Sequence, residues 1–213
     1  MNLKKFILSH KLVIFDFDGV IKKSNKAKLD GYLNLIADID KTQLEYIKDH
    51  HINNQGISRF VKVPLYLNHC EKSVENDNVN YYLQKYSNLV IDEVVNSNWV
   101  DGVLDILKGK KQNNVFAICT GTPQEEIKKI IEHLGIGHFF DYVYGSPMKK
   151  TTATEMIIES TNILNTESLF IGDAREDFNA AANNNLNFLL VENEYNELFC
   201  EKYSGISCKN FLI

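Results

Sequence analysis

The chain has 213 residues, 44% hydrophobic and 24% charged, with a formal net charge of −5. That balance excludes a disordered or collagen-like chain, and the lack of a basic field argues against a nucleic-acid partner. At this length folding buries roughly 70% of the surface the unfolded chain exposes, enough for one good core or two modest ones.

No stretch approaches the roughly 20 apolar residues of a membrane span. The Phe6-Ile7-Leu8 run behind Lys4 and Lys5 is too short for a signal peptide. Cys70, Cys119, Cys200 and Cys208 show no C-x-x-C spacing, so free thiols and a cytoplasmic location are expected.

In chain order, Leu12-Val13-Ile14-Phe15 is the first apolar run that reads as a strand buried on both faces. Residues 24–96 then show no clear buried strand. Tyr32, Leu33, Leu35, Ile36 and Ile39 suggest one helix and Val79, Leu83, Tyr86 and Val90 another, with Pro64 breaking or beginning a helix between them. From about Trp99 strand and helix alternate, as a parallel α/β sheet requires. The later strands are Val115-Phe116-Ala117-Ile118-Cys119, Ser168-Leu169-Phe170-Ile171 and Asn187-Phe188-Leu189-Leu190-Val191, with Tyr142-Val143-Tyr144 a weaker candidate. Thr122-Pro123-Gln124-Glu125 predicts a helix N-terminus with Thr122 as cap and Pro123 at the first helical position. Ile127, Ile130, Ile131 and Leu134 continue that helix and Gly135 ends it.

Two acidic clusters stand at strand ends. In Phe15-Asp16-Phe17-Asp18-Gly19-Val20, alternate residues share a face, so Asp16 and Asp18 can converge. Crowded carboxylates demand a cation or a proton, although a solvated turn would also accommodate Asp and Gly. Gly172-Asp173-Ala174-Arg175-Glu176-Asp177 repeats the arrangement, where acids complementing a helix dipole are the alternative. Asp16, Asp18, Thr120 and Asp173 all follow predicted strands and would gather at one sheet edge, where open α/β sheets bind ligands. Lys149 and Lys150 supply the positive charge this cluster lacks.

These ordered motifs resemble the haloacid dehalogenase-like hydrolase superfamily, in its phosphoglycolate phosphatase-like branch. The signatures are Asp16-Phe17-Asp18-Gly19-Val20, Cys119-Thr120-Gly121-Thr122, Lys150 and Gly172-Asp173-Ala174-Arg175-Glu176-Asp177. The resemblance implies an α/β fold, with a Rossmann-like parallel-sheet core made of residues 1–22 and 97–213 and an inserted α-helical cap domain made of residues 23–96. It further implies a Mg2+-dependent phosphomonoester hydrolase. Asp16 would be its nucleophile, forming an aspartyl-phosphate, and Asp18 its acid and base. Asp16, the Asp18 backbone carbonyl and Asp173 would hold magnesium, with Asp177 orienting them, while Thr120, Gly121 and Lys150 would hold phosphate. Family spacing favours Lys150, but Lys149 is adjacent. An acid at Asp18 favours phosphate-ester cleavage over dehalogenation, because a halide leaves without a proton. A phosphomutase and a non-catalytic phosphoryl-binding sensor are the alternatives. A response-regulator receiver also combines acids, Thr and Lys, but its nucleophile follows an internal strand and it has no comparable cap.

The expected substrate is a small phosphorylated metabolite, bound by a monomer or homodimer. Its selection is assigned to the cap segment from His50 to Phe60. There Ser58 and Arg59 are the candidate specificity residues, and a salt bridge is the competing role for Arg59. His50 and His51 read as surface or capping residues. The chain departs from the family at Lys23, where relatives carry Asp, a change expected to alter substrate polarity. It departs also at Asp101, in place of Pro, and Asn185, in place of Gly.

Overall fold

Leu12, Val13, Ile14 and Phe15 are all fully shielded from solvent, which a strand achieves only inside a sheet covered on both faces. The computed structural model describes residues 2–212, and in it these four form β1 (Leu12–Phe15). The strand pairs in parallel with β2 (Val115–Pro123) on one side and β4 (Ser168–Gly172) on the other. Adding β3 (Tyr142–Ser146), β5 (Asn187–Val191) and the short β6 (Ile206–Cys208) gives a six-stranded sheet of order β3-β2-β1-β4-β5-β6. All five pairings are parallel. The weak Tyr142-Val143-Tyr144 candidate is thus a genuine strand, whereas β6 has too little apolar character to be read from sequence.

The sheet separates two apolar layers. Leu12 and Ile14 face Ala153 and Ile157 of α8 (Lys150–Thr161) and Ala180 and Ala181 of α9 (Arg175–Asn183). Val13 and Phe15 face the opposite layer, which includes α1 (Leu3–Ser9), α6 (Val103–Lys108) and α7 (Gln124–His133). That second layer continues without a break into the segment between β1 and β2.

This segment forms four helices, where periodicity suggests one around Tyr32 and one over residues 79–90: α2 (Asn25–Leu33), α3 (Lys41–Asn53), α4 (Arg59–His69) and α5 (Asn76–Asn96). Tyr32 lies at its centre, with ring centroids 5.2 Å from Tyr66 and 4.2 Å from Tyr86. The α2 helix stops at Leu33, so Leu35 and Ile36 reach the core from a turn. Pro64 neither breaks nor begins a helix; it lies inside α4. It is the sixth of the helix's eleven residues, so the bond its N–H would make to the Phe60 carbonyl is forfeited in mid-helix. A short α10 (Glu197–Cys200) follows β5. Asn185, where the resemblance expects Gly, takes a left-handed conformation (φ 54°) that Asn tolerates.

Candidate active site

The carboxyl end of β1 turns sharply at Gly19 (φ +79°), where an added Cβ would lie 2.0 Å from Asp173 Oδ2. Only glycine permits that approach, and it brings the first acidic motif against the second. Asp16 keeps the facing of Leu12 and Ile14 and so points toward α8 and α9. Its Oδ1 accepts from the Phe17 N–H at 2.7 Å, and its Oδ2 lies 2.9 Å from Lys150 Nζ. Asp18 borders the same cavity and has its own partners. Ser24 Oγ donates to its Oδ1 at 2.6 Å, Thr122 Oγ1 to its Oδ2 at 3.0 Å, and Lys28 Nζ lies 3.3 Å from Oδ2.

Thr120 and Thr122 owe their placement to an irregularity in β2. Cys119 pairs with Tyr144 and Pro123 with Ser146, so four steps along β2 match two along β3. Such a bulge re-aims side chains. The strand continues to Pro123 and the helix begins at Gln124, so Thr122 is not its cap. Its hydroxyl instead joins Asp18 to Lys28, whose Nζ donates to it at 2.9 Å.

The lysine ambiguity is resolved by burial. Lys149 is exposed at the start of α8, whereas Lys150 is 7% exposed and bridges Asp16 to Asp177 Oδ1 at 2.6 Å. Asp177 Oδ2 accepts from the N–H groups of Asp173 and Ala174 at 3.2 and 3.0 Å. Asp173 Oδ2 accepts from Asn25 and Asn193 at 2.8 and 2.9 Å, which leaves its Oδ1 without a partner among the described residues.

Asp16, Asp173 and Asp177 offer carboxylate oxygens within 4.8 Å of one another, all buried. Burial and repulsion from Asp177 raise Asp16 well above the carboxylate range, although Lys150 opposes this. Burial and Asp177 push Asp173 up to about 7. Excess negative charge in a dry site, presented by hard oxygen donors, suits a magnesium ion. Asp18 behaves oppositely: burial works against its charge, but Lys28 and the Ser24 and Thr122 hydroxyls outweigh it and lower its pKa. Burial also opposes the charge of Lys150, yet Asp16 and Asp177 raise its pKa and keep it protonated.

A cavity of about 70 Å³ opens between these groups and the inserted helices, and Thr120 and Gly121 line it beside Asp16, Asp18, Lys150 and Asp173. Gly121 approaches the insertion so closely that an added Cβ would meet the Gly56 carbonyl at 2.9 Å. Gln55 ties the same turn to the core by donating to the Tyr195 carbonyl at 2.6 Å. Of the two specificity candidates, Ser58 caps α4, accepting from the Phe60 N–H at 3.3 Å. Arg59 borders the cavity, but its guanidinium is engaged by Glu126 of α7 at 2.8 and 2.6 Å and by Ser87. The salt bridge, not an open donor fork, is the arrangement present. Lys23 points away to Asp101 at 2.9 Å, so two departures from the family pattern satisfy each other on the surface and Lys23 does not border the cavity.

Asn25, Lys28 and Lys62 are missed in the sequence, where Thr122 reads only as a cap and His51 only as a surface or capping residue. Lys28 and Lys62 carried a readable sign: Lys28 shares a helical stripe with Tyr32, and Lys62 lies among Arg59, Val63, Tyr66 and Leu67, so each puts a charge on a buried face. His51 is likewise buried, contrary to the surface role expected.

Acids at the ends of β1 and β4, a threonine on a bulged β2 and a lysine from α8 thus meet at one edge of a parallel sheet, the arrangement of a Rossmann-like α/β protein with a helical insertion. A family model described as haloacid dehalogenase-like hydrolase matches residues 13–191, and the chain belongs to that family. A phosphoglycolate phosphatase of Pseudomonas putida is 25% identical over 185 residues, covering 80% of this chain and 65% of the relative. One from Pseudomonas fluorescens is 33% identical over 86 residues, 38% of this chain and 32% of that protein. The chain therefore spans less than two thirds of the curated relatives it matches. Among solved structures, CbbY of Rhodobacter sphaeroides in complex with phosphate superposes with a TM-score of 0.76 at 12% identity, covering 95% of each chain. A haloacid dehalogenase-like family hydrolase of Streptococcus pneumoniae gives 0.66 at 16%, covering 93% of this chain and 94% of that one. At these identities the likeness is one of fold.

Proposed function

We propose that the chain is a magnesium-dependent phosphomonoester hydrolase acting on a small phosphorylated metabolite through an aspartyl-phosphate. The observation that carries this reading is Asp16: a buried carboxylate oriented by the Phe17 N–H, set 2.9 Å from a buried ammonium and crowded by two further acids. Asp16 attacks phosphorus, the ester P–O bond breaks, and water later attacks the aspartyl-phosphate to release phosphate and restore the carboxylate. Asp18, held apart from the cluster by Lys28 and Thr122, is the proton carrier. It rests ionised, and a bound phosphate dianion raises its proton affinity so that it can protonate the departing oxygen, then take the proton of the attacking water. Lys150, Thr120 and the Gly121 N–H hold the transferring group.

Magnesium would be held by Asp16, Asp173 and the Asp18 carbonyl, where it would supply charge that offsets the meeting of an anionic ester with an anionic nucleophile. Asp177 has its oxygens committed to Lys150 and two N–H groups and acts by orientation. Residues 23–96 act as a cap over a core of residues 1–22 and 97–213, and free Cys70, Cys119, Cys200 and Cys208 suit a cytoplasmic setting. No helix among the described residues is long and apolar enough to cross a membrane.

The test is phosphate release from a panel of sugar phosphates, phosphoglycolate and nucleotides by wild type and Asp16→Asn. Metal-dependent release by wild type alone is expected; equal turnover by both rejects the mechanism.

A further inference from the structure

Four cations line the cavity: Lys28, Arg59, Lys62 and Lys150. Three are matched by acids, Lys28 by Asp18, Arg59 by Glu126, and Lys150 by Asp16 and Asp177. Lys62 is not. Although it is 1% exposed, no carboxylate among the described residues lies within 4.0 Å of its Nζ.

Its hydrogen-bond partner is Nδ1 of buried His51 at 3.1 Å, and the Tyr32 ring centroid lies 5.7 Å away. An ammonium has three donors, so two remain for something in the cavity. His51 can accept at Nδ1 only as the neutral tautomer, and burial with the nearby lysines holds its pKa well below the ordinary histidine value. Burial, then Lys28 and Lys150, likewise pull Lys62 down to about 7. A buried cation with like-charged neighbours and no counter-ion is costly, and an anionic ligand group would remove that cost.

We propose that Lys62, with His51 and Lys28 beside it, forms a second anion subsite, and that the substrate carries a carboxylate or a further phosphate besides the phosphate facing Asp16. This deepens, and rests on, the phosphatase reading. Arg59 is not the recognising group, because its donors are already held by Glu126 and Ser87.

Binding separates the two ideas. Calorimetry on the Asp16→Asn variant with magnesium compares ethyl phosphate, 2-phosphoglycolate and propane-1,3-diol bisphosphate. At least one anionic-tailed ester is expected to bind roughly tenfold or more tightly than ethyl phosphate, and the tail preferred tells carboxylate from phosphate. Adding Lys62→Met is expected to collapse that preference. Equal binding of all three esters by Asp16→Asn overturns the subsite without any Lys62 variant being needed. A uniform loss across the esters on adding Lys62→Met overturns it too. Preference for an anionic tail that Lys62→Met removes, alongside no phosphate release by wild type from any ester, leaves the subsite standing and defeats the phosphatase reading.

Discussion

Lys150 Nζ lies between two carboxylates, 2.9 Å from Asp16 Oδ2 and 2.6 Å from Asp177 Oδ1, so Asp177 fixes the lysine that in turn fixes the nucleophile. Lys150→Met removes the cation that lowers the pKa of Asp16 and a donor to the transferring group. A fall in kcat of roughly 10²–10³ is expected, the cost typical of one transition-state donor. Exposed Lys149→Met is expected to change kcat little. Steady-state phosphate release by both variants decides the matter, and the reverse ranking would refute the assignment.

Lys28 is the largest influence lowering the pKa of Asp18 against the burial that raises it. In Lys28→Met the acid therefore holds its proton to higher pH, so the acidic limb of the kcat profile should move upward. A limb that stays in place would show that Asp18 does not govern it.

Burial and repulsion from Asp177 push the pKa of Asp173 up to about 7 in the folded chain, against about 3.9 for a free Asp. Between those values the folded state binds a proton the unfolded state has released, so metal-free stability falls as pH rises from about 4 to about 7. Magnesium should oppose this loss. At a hundred times its dissociation constant it adds about 2.7 kcal/mol, roughly 5–10 °C of melting temperature at this chain length. Thermal melts with magnesium and with chelator test it, and Asp173→Asn should flatten the pH slope and lose most of the metal-induced shift.

The buried Arg59–Glu126 pair joins the insertion to α7. Glu126→Gln leaves the guanidinium short of its counter-charge and should cost about 3–5 kcal/mol. Replacing both partners, Arg59→Met with Glu126→Leu, should restore most of the loss. Denaturant titration measures each, and a neutral single change would show that Arg59 does not depend on Glu126 for its counter-charge.

The sheet was largely legible because strands buried on both faces leave uninterrupted apolar runs, as in β1 and β4. The acids were legible because Asp and Gly concentrate where those runs stop. The insertion was half hidden: α3 reads mainly as polar, and α4 carries Pro64 together with Arg59 and Lys62 on its buried stripe. Helices stabilised by partners distant in sequence, as Arg59 is by Glu126, cannot be recovered from local periodicity. Thr122 was misplaced for a related reason. Its capping pattern is locally valid, but hydrogen bonds to Asp18 and Lys28, 104 and 94 residues away in the chain, compete for the same hydroxyl.

The alignment of Phe15 with both Ile118 and Ile171 has a consequence for assembly. A slip of one residue along either neighbouring strand would move Thr120 or Asp173 by about 3.3 Å and turn it toward the wrong layer. The same slip would expose apolar side chains that now meet across β1. Faulty threading of these strands is thus penalised by hydrophobic mismatch before any chemistry is attempted, and a chain that survives folding arrives with its reactive groups already in step.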